Sequence, residues 1–235
     1  GISAIIDPSG SIINKINIGA CYEKQGNFDK SLWFYQQVLQ TLLKQKPKNL
    51  PREAFIYNNI GRIYEQKGNY KQATQQYDKA IQIWQDITQN KLQLAKAFEN
   101  KGNCYYYEGD YNIALAYHQE ALKIRSEKFG LNHILVARSY NNIALCYFSM
   151  KQYSNALHLY EKNEFIYLQN AEAYQANIAR NQNNKALCYE KMKEYETAKR
   201  FFRKAIEITH KKQDKYSEID KYYHLSLIHI SEPTR

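Results

Sequence analysis

The chain has 235 residues, 44% hydrophobic and 24% charged, with a formal net charge of +10; that is enough apolar content for an ordered core and too much for a disordered chain. No apolar run approaches the roughly 18 residues that a spanning helix needs, so an α-helical membrane protein is excluded and a soluble, cytoplasmic one is expected. The opening GISAIIDPSG lacks the basic segment and apolar core of a signal peptide; with no initiator methionine, it is expected to belong to a longer, processed or cloned protein.

In chain order, residues 1–11 read as an N-terminal fragment or the end of a preceding repeat, and five similar segments follow. They are INIGACYEKQGNFDKSL, NNIGRIYEQKGNYKQAT, ENKGNCYYYEGDYNIAL, NNIALCYFSMKQYSNAL and NNKALCYEKMKEYETAK. Aligned, they place a small residue at Gly19, Gly61, Gly102, Ala144 and Ala186, in steps of 42, 41, 42 and 42 residues. So regular a spacing predicts five copies of one unit. Positions within a unit are counted below from this small residue.

Each copy has Tyr at +3 (Tyr22, Tyr64, Tyr105, Tyr147, Tyr189) and a ring at +9 (Phe28, Tyr70, Tyr111, Tyr153, Tyr195). A second small residue stands at +12 (Ser31, Ala73, Ala114, Ala156, Ala198) and another ring at +16 (Tyr35, Tyr77, His118, Tyr160, Phe202). Small residues facing large rings at helical intervals let two crossing helices approach closely while the ring fills the gap beside them. The tripeptides QGN, KGN and EGD mark turns between the two helices of the first three copies. Lys151 and Lys193 replace that glycine in the last two, which permits the turn at some cost.

The pattern resembles the tetratricopeptide repeat, a helix-turn-helix unit that stacks into an α-solenoid. The resemblance covers residues 12–225, with a unit longer than the usual ~34 residues by about one helical turn per helix. It implies an all-α, right-handed superhelical solenoid of about 42 residues per unit. FGLNHILVARSYNNIALCY is similar to the repeat of kinesin light chains, although Ile134 stands where that family favours proline. GNCYYYEGDYNIALAYHQEAL is similar to repeats of the spindle-orientation adaptor that binds Gα subunits. Both families are peptide-binding scaffolds, and the resemblance implies the same here.

Cys21, Cys104, Cys146 and Cys188 all fall at +2, where the second copy has Ile63. Cysteines a full repeat or more apart match neither a zinc cluster nor a redox pair, so they are expected to pack as small apolar side chains at the seams between first helices. Reduced thiols fit a cytoplasmic protein. The histidines show no metal spacing: His118 sits in a ring column and His133 in an inter-repeat turn. No paired carboxylates, nucleophile constellation or phosphate loop rises above the repeat. No enzyme, cofactor or metal is expected within this chain.

At about 100° per residue, positions −6, −2, +1 and +5 of the first helix fall on the side opposite its buried stripe. First helices of such solenoids line the concave side, so this stripe predicts a groove. At −2 every copy has Asn: Asn17, Asn59, Asn100, Asn142 and Asn184. Asparagine is a mediocre helix former, and its carboxamide offers a donor and an acceptor to another chain's peptide groups. At −6 stand Lys96, Arg138 and Arg180, after Ile13 and Phe55 in the first two copies. With Arg62, Asn103, Tyr107 and Lys191, these residues predict a polar groove, basic toward its C-terminal half, for an extended acidic peptide. Two alternatives stand beside this reading. The Asn column can instead bond along the array as a structural ladder, and the net charge of +10 keeps open a basic solenoid for RNA or an anionic surface. A recruiting module of a larger protein with its catalytic domain elsewhere is also compatible.

Asn163 and Glu164 break the apolar pattern of the fourth copy, where other copies have Val38, Ala80, Ala121 and Ala205 at the position of Asn163. KYSEIDKYYHLSL, residues 215–227, reads as the first helix of a truncated sixth copy. Residues 226–235 fit no repeat column and read as a non-native tail resembling translated adapter sequence. An array cut there is expected to expose Phe202, Ile206 and Ile208 in part.

Overall fold

The computed structural model describes residues 8–210 except 88 and 90. The expected truncated sixth helix and the tail lie outside the described residues, as do positions 1–7. Among the described residues the regular structure is helical: α1 Pro8–Lys24, α2 Phe28–Lys44, α3 Leu50–Gln66, α4 Tyr70–Gln85, α5 Lys91–Glu108, α6 Tyr111–Phe129, α7 Ile134–Ser149, α8 Tyr153–Leu168, α9 Gln175–Lys191 and α10 Tyr195–His210. Consecutive pairs form the five units, so this is an all-α repeat solenoid. No described helix is long and apolar enough to cross a membrane.

The small-against-ring columns are the packing rule of each pair. A Cβ placed on Gly61 would meet Cε1 of Tyr77 at 2.7 Å, and one on Gly102 would meet Cε1 of His118 at 2.8 Å. Those rings are fully buried or nearly so, so the glycine is what lets the second helix lie close to the first. Ala144 shares a core cluster with Tyr160, and Ala186 shares one with Phe202. Phe202 is therefore completely buried, contrary to the exposure expected of the last unit. Its partner is the small residue of its own unit, so the contact needs no following repeat. Ile206 and Ile208 are half-buried.

Turns inside the units follow from one backbone requirement. Gly26, Gly68 and Gly109 all adopt positive φ, where glycine has no Cβ penalty. Lys151 and Lys193 occupy the same place with φ of 61° and 65°, so the two lysines take the left-handed geometry at a cost glycine avoids. Asn27 and Asn49 cap α2 and α3 by accepting from the backbone N–H of Lys30 and Arg52. His133 caps α7 through Nδ1 and stacks on Phe129.

The chain divides into two compact units, Gly1–Ile124 and Arg125–Arg235. In the first, Ile63 of α3 packs with Tyr35, Val38 and Leu42 of α2, and Cys104 of α5 packs with Tyr77 and Ala80 of α4. In the second, Cys188 of α9 packs with Ala156, Leu157 and Tyr160 of α8. In these three units the +2 residue thus plugs into the core of the unit before it. Cys146 is also buried, but Cys21 is exposed, because no described helix precedes α1 to cover it.

Candidate functional site

The predicted groove residues divide by position along their stripe. Within the first compact unit Asn17 at −2 is exposed, whereas the −2 and +1 residues of the second and third copies turn toward the neighbouring helices. Asn100 Nδ2 donates to Asn58 Oδ1 at 3.2 Å in a buried contact, and Asn59 is buried as well. Arg62 donates through Nε and Nη2 to the two carboxylate oxygens of Glu23 at 2.7 and 2.6 Å. Glu23 also accepts from the Tyr35 hydroxyl. One unit later the geometry recurs: Glu65 accepts from the Tyr77 hydroxyl at 2.6 Å and from the Asn103 side chain. A glutamate at +4 thus joins the +16 ring of its own unit to the +1 residue of the next. Burial pushes the Glu65 carboxyl upward, against the opposing hydrogen bonds from Tyr77 and Asn103. Burial and the Glu23 carboxylate push Tyr35 up to about 12.

The outer positions stay at the surface. Lys96 is exposed on α5, and Tyr107 is exposed with its ring stacked on Tyr70 at 5.6 Å. Asn59 and Asn100, by contrast, are drawn into the packing between helices.

The second compact unit is different. Here Arg138 and Asn142 of α7 and Arg180 of α9 line one recess of about 480 Å³, together with Ile134, Leu135, Asn141, Tyr167, Asn177 and Asn181. Both arginines are exposed and Asn142 is half-buried. Asn184 lies beside this group, its Nδ2 donating to Asn141 Oδ1 at 3.5 Å, while Lys191 is exposed in the last turn of α9. Asn181 is held from behind, its Nδ2 donating to the Tyr160 carbonyl at 2.8 Å. Its Oδ1 is buried without a hydrogen-bond partner, although the residue lines the recess. Burial raises the Tyr167 phenol, while a hydrogen bond with Asn177 and the Arg180 charge oppose the rise. The recess therefore offers guanidinium and amide donors, a donor-rich surface suited to a carboxylate and to the carbonyls of an extended chain.

Sequence reasoning missed Asn141, Tyr167, Asn177 and Asn181. Asn141 carried a signal, since the −3 column also holds Asn58 and Asn183. Tyr167 belongs to the end of α8, and only packing brings it to α7 and α9. Among the described residues no group of His, Cys, Asp and Glu side chains could hold a metal ion.

A tetratricopeptide repeat family model matches residues 11–86 and 93–162, and a second matches residues 179–211. The chain belongs to the tetratricopeptide repeat family. As such an array it is a protein-interaction scaffold, similar in type to kinesin light chain repeats. The fold resembles BtubC (BKLC) from P. vanneervenii with a TM-score of 0.79 at 19% identity, over 90% of this chain and 86% of that one. It resembles a putative kinesin light chain of nearly identical repeats from Podosopora anserina with a TM-score of 0.74 at 15% identity, over 87% and 98%. It also resembles MamA from Desulfovibrio magneticus RS-1, with a TM-score of 0.62 at 15% identity over 87% and 97%. Among curated proteins no sequence matches the chain.

Proposed function

We propose that this tetratricopeptide array is a cytoplasmic adaptor that binds an extended acidic peptide at the recess between α7 and α9. The observation that carries the reading is the meeting of Arg138, Asn142 and Arg180 in one recess. Guanidinium groups hold carboxylates through paired, charge-assisted hydrogen bonds, and amides take the backbone groups of an extended chain. The net charge of +10 would steer acidic segments toward the protein. Free cysteines accord with a reducing compartment.

In the second unit the Asn column supports both original readings at once. Asn184 bonds back to Asn141, whereas Asn142 lines the recess. The ligand contact is therefore assigned to Asn142, and Asn184 is assigned to holding Asn141 in place.

Fluorescence anisotropy with labelled short peptides rich in Asp and Glu, and with their Lys and Arg counterparts, tests the reading. Acidic peptides should bind and basic ones should not. Changing Arg138 and Arg180 together to Ala should weaken binding by about tenfold or more. Equal binding of both peptide classes, or undiminished binding by the folded double variant, would overturn the proposal.

A further inference from the structure

The repeat supplies its own control for the recess between α7 and α9. Position −6 runs Ile13, Phe55, Lys96, Arg138 and Arg180, so only the last two units place guanidinium groups there, on successive first helices. A lysine ammonium is a compact point charge, whereas a guanidinium is a planar fork that takes the oxygens of a carboxylate or phosphate two at a time. Both arginine side chains are exposed, and both line the one recess of about 480 Å³.

The charge of the lining exceeds what one carboxylate balances. Two arginines and four asparagines belong to it and, among the described residues, no Asp or Glu does. Asn141 commits its Oδ1 to the Nδ2 of Asn184, which leaves its own Nδ2 to donate. Burial raises the Tyr167 phenol, so that side chain keeps its proton beside Arg180 and adds no negative charge. A carboxylate carries one charge and two oxygens, and the fork of a single guanidinium occupies both. The second guanidinium would then be left facing a like charge. A phosphomonoester carries a charge of about −1.5 to −2 and three acceptor oxygens. It matches both forks and keeps acceptor capacity for the amides of Asn141 and Asn142.

We infer that the acid held in this recess is a phosphorylated serine or threonine of a partner's extended segment, gripped by Arg138 and Arg180 together, with Asn141 and Asn142 donating to the same phosphate. The inference rests on the peptide-binding reading above and narrows it from acidic segments in general to those that carry a phosphate. Modification of the partner then switches binding on, because the unmodified hydroxyl brings no charge to either guanidinium.

Retention of the full chain on immobilised peptide pools, degenerate except for a central phosphoserine, glutamate or serine, tests the inference. The chain should bind the phosphoserine pool about tenfold more tightly than the glutamate pool, and the serine pool least. Arg138→Lys with Arg180→Lys keeps both charges but removes both forks. Because both side chains are exposed, this variant should keep the helical circular-dichroism spectrum. It should lose about tenfold on phosphoserine and less on glutamate. Arg203, exposed on α10, controls for the general charge of +10: Arg203→Gln should leave retention unchanged. Equal retention on the phosphoserine and glutamate pools would overturn the inference and leave the acidic-peptide reading standing, whereas retention on no pool would overturn both. A loss with Arg203→Gln as large as that of the lysine variant would also overturn the inference. So would inorganic phosphate that binds as tightly as the phosphoserine pool, or a single-stranded RNA that binds more tightly, since a free anion or a nucleic acid would then be the ligand.

Discussion

The ammonium of Lys185 lies 2.8 Å from Oε2 of Glu164, and both side chains are drawn into the packing of α8 against α9. Lys185 occupies position −1, where the second and fourth units bury Ile60 and Ile143, and its Nζ also sits 4.6 Å from the centre of the Phe201 ring. Glu164 accepts from Gln182 as well as from Lys185. The break in α8 that the sequence left without explanation is thus the counter-charge of a buried lysine. Lys101 repeats the device with Asp78 and the Tyr117 ring.

Removing one partner of such a pair leaves the other charge in a poorly hydrated place. Glu164→Ala should destabilise the second compact unit by about 2–3 kcal/mol, at the low end for buried pairs because Glu164 keeps some contact with water. The double change Glu164→Leu with Lys185→Ile restores the apolar residues of the sibling columns and should be close to neutral. Denaturant unfolding followed by circular dichroism measures both. Equal losses in the single and double variants would show that the charges matter for something other than each other.

Asn163 is completely buried with neither its Oδ1 nor its Nδ2 hydrogen-bonded, and its column holds Ala80, Ala121 and Ala205 elsewhere. A buried amide without partners costs about 1–3 kcal/mol. Asn163→Ala should therefore stabilise the protein by about 1 kcal/mol after the loss of packing is offset. A shift of the denaturation midpoint to lower denaturant would contradict this.

Lys151 and Lys193 hold the left-handed turn that three sibling units assign to glycine. Replacing each with Gly relieves the Cβ penalty but loosens the unfolded chain, for a net gain of about 0.5–1 kcal/mol per site. The two gains should add, because the sites lie in different turns. Thermal melts of the single and double variants give the answer directly.

Burial pushes the thiols of Cys146 and Cys188 up to about 12 and that of Cys104 higher still. Since the thiolate is the nucleophile, the native protein should react with a disulfide reagent rapidly at the exposed Cys21 alone, and at all four cysteines when unfolded. Cys21→Ser should abolish the rapid phase. The raised values also set a pH dependence. A thiol that keeps its proton longer when folded leaves stability intact below the unfolded pKa of about 8.5 and lowers it as pH rises beyond, toward about 12.

The unit length, the facing of small residues against rings, the turns and the packing role of the +2 column were legible in the sequence; that this column packs on the second helix of the preceding unit was not. Each is a contact within one helical hairpin or between adjacent copies, repeated often enough that periodicity reveals it. Tertiary structure decided what the Asn column does. Position −2 sits at the edge between seam and groove, where the side chain of Asn100 can reach Asn58 on the first helix of the preceding unit while that of Asn142 faces a recess. Helical periodicity specifies an angle but not the partner across it. The pairing of Lys185 with Glu164 and the arrival of Tyr167 beside Arg180 depend on the offset between neighbouring helices. That offset is set jointly by all the side chains packed between the helices, so no single column of the repeat records it.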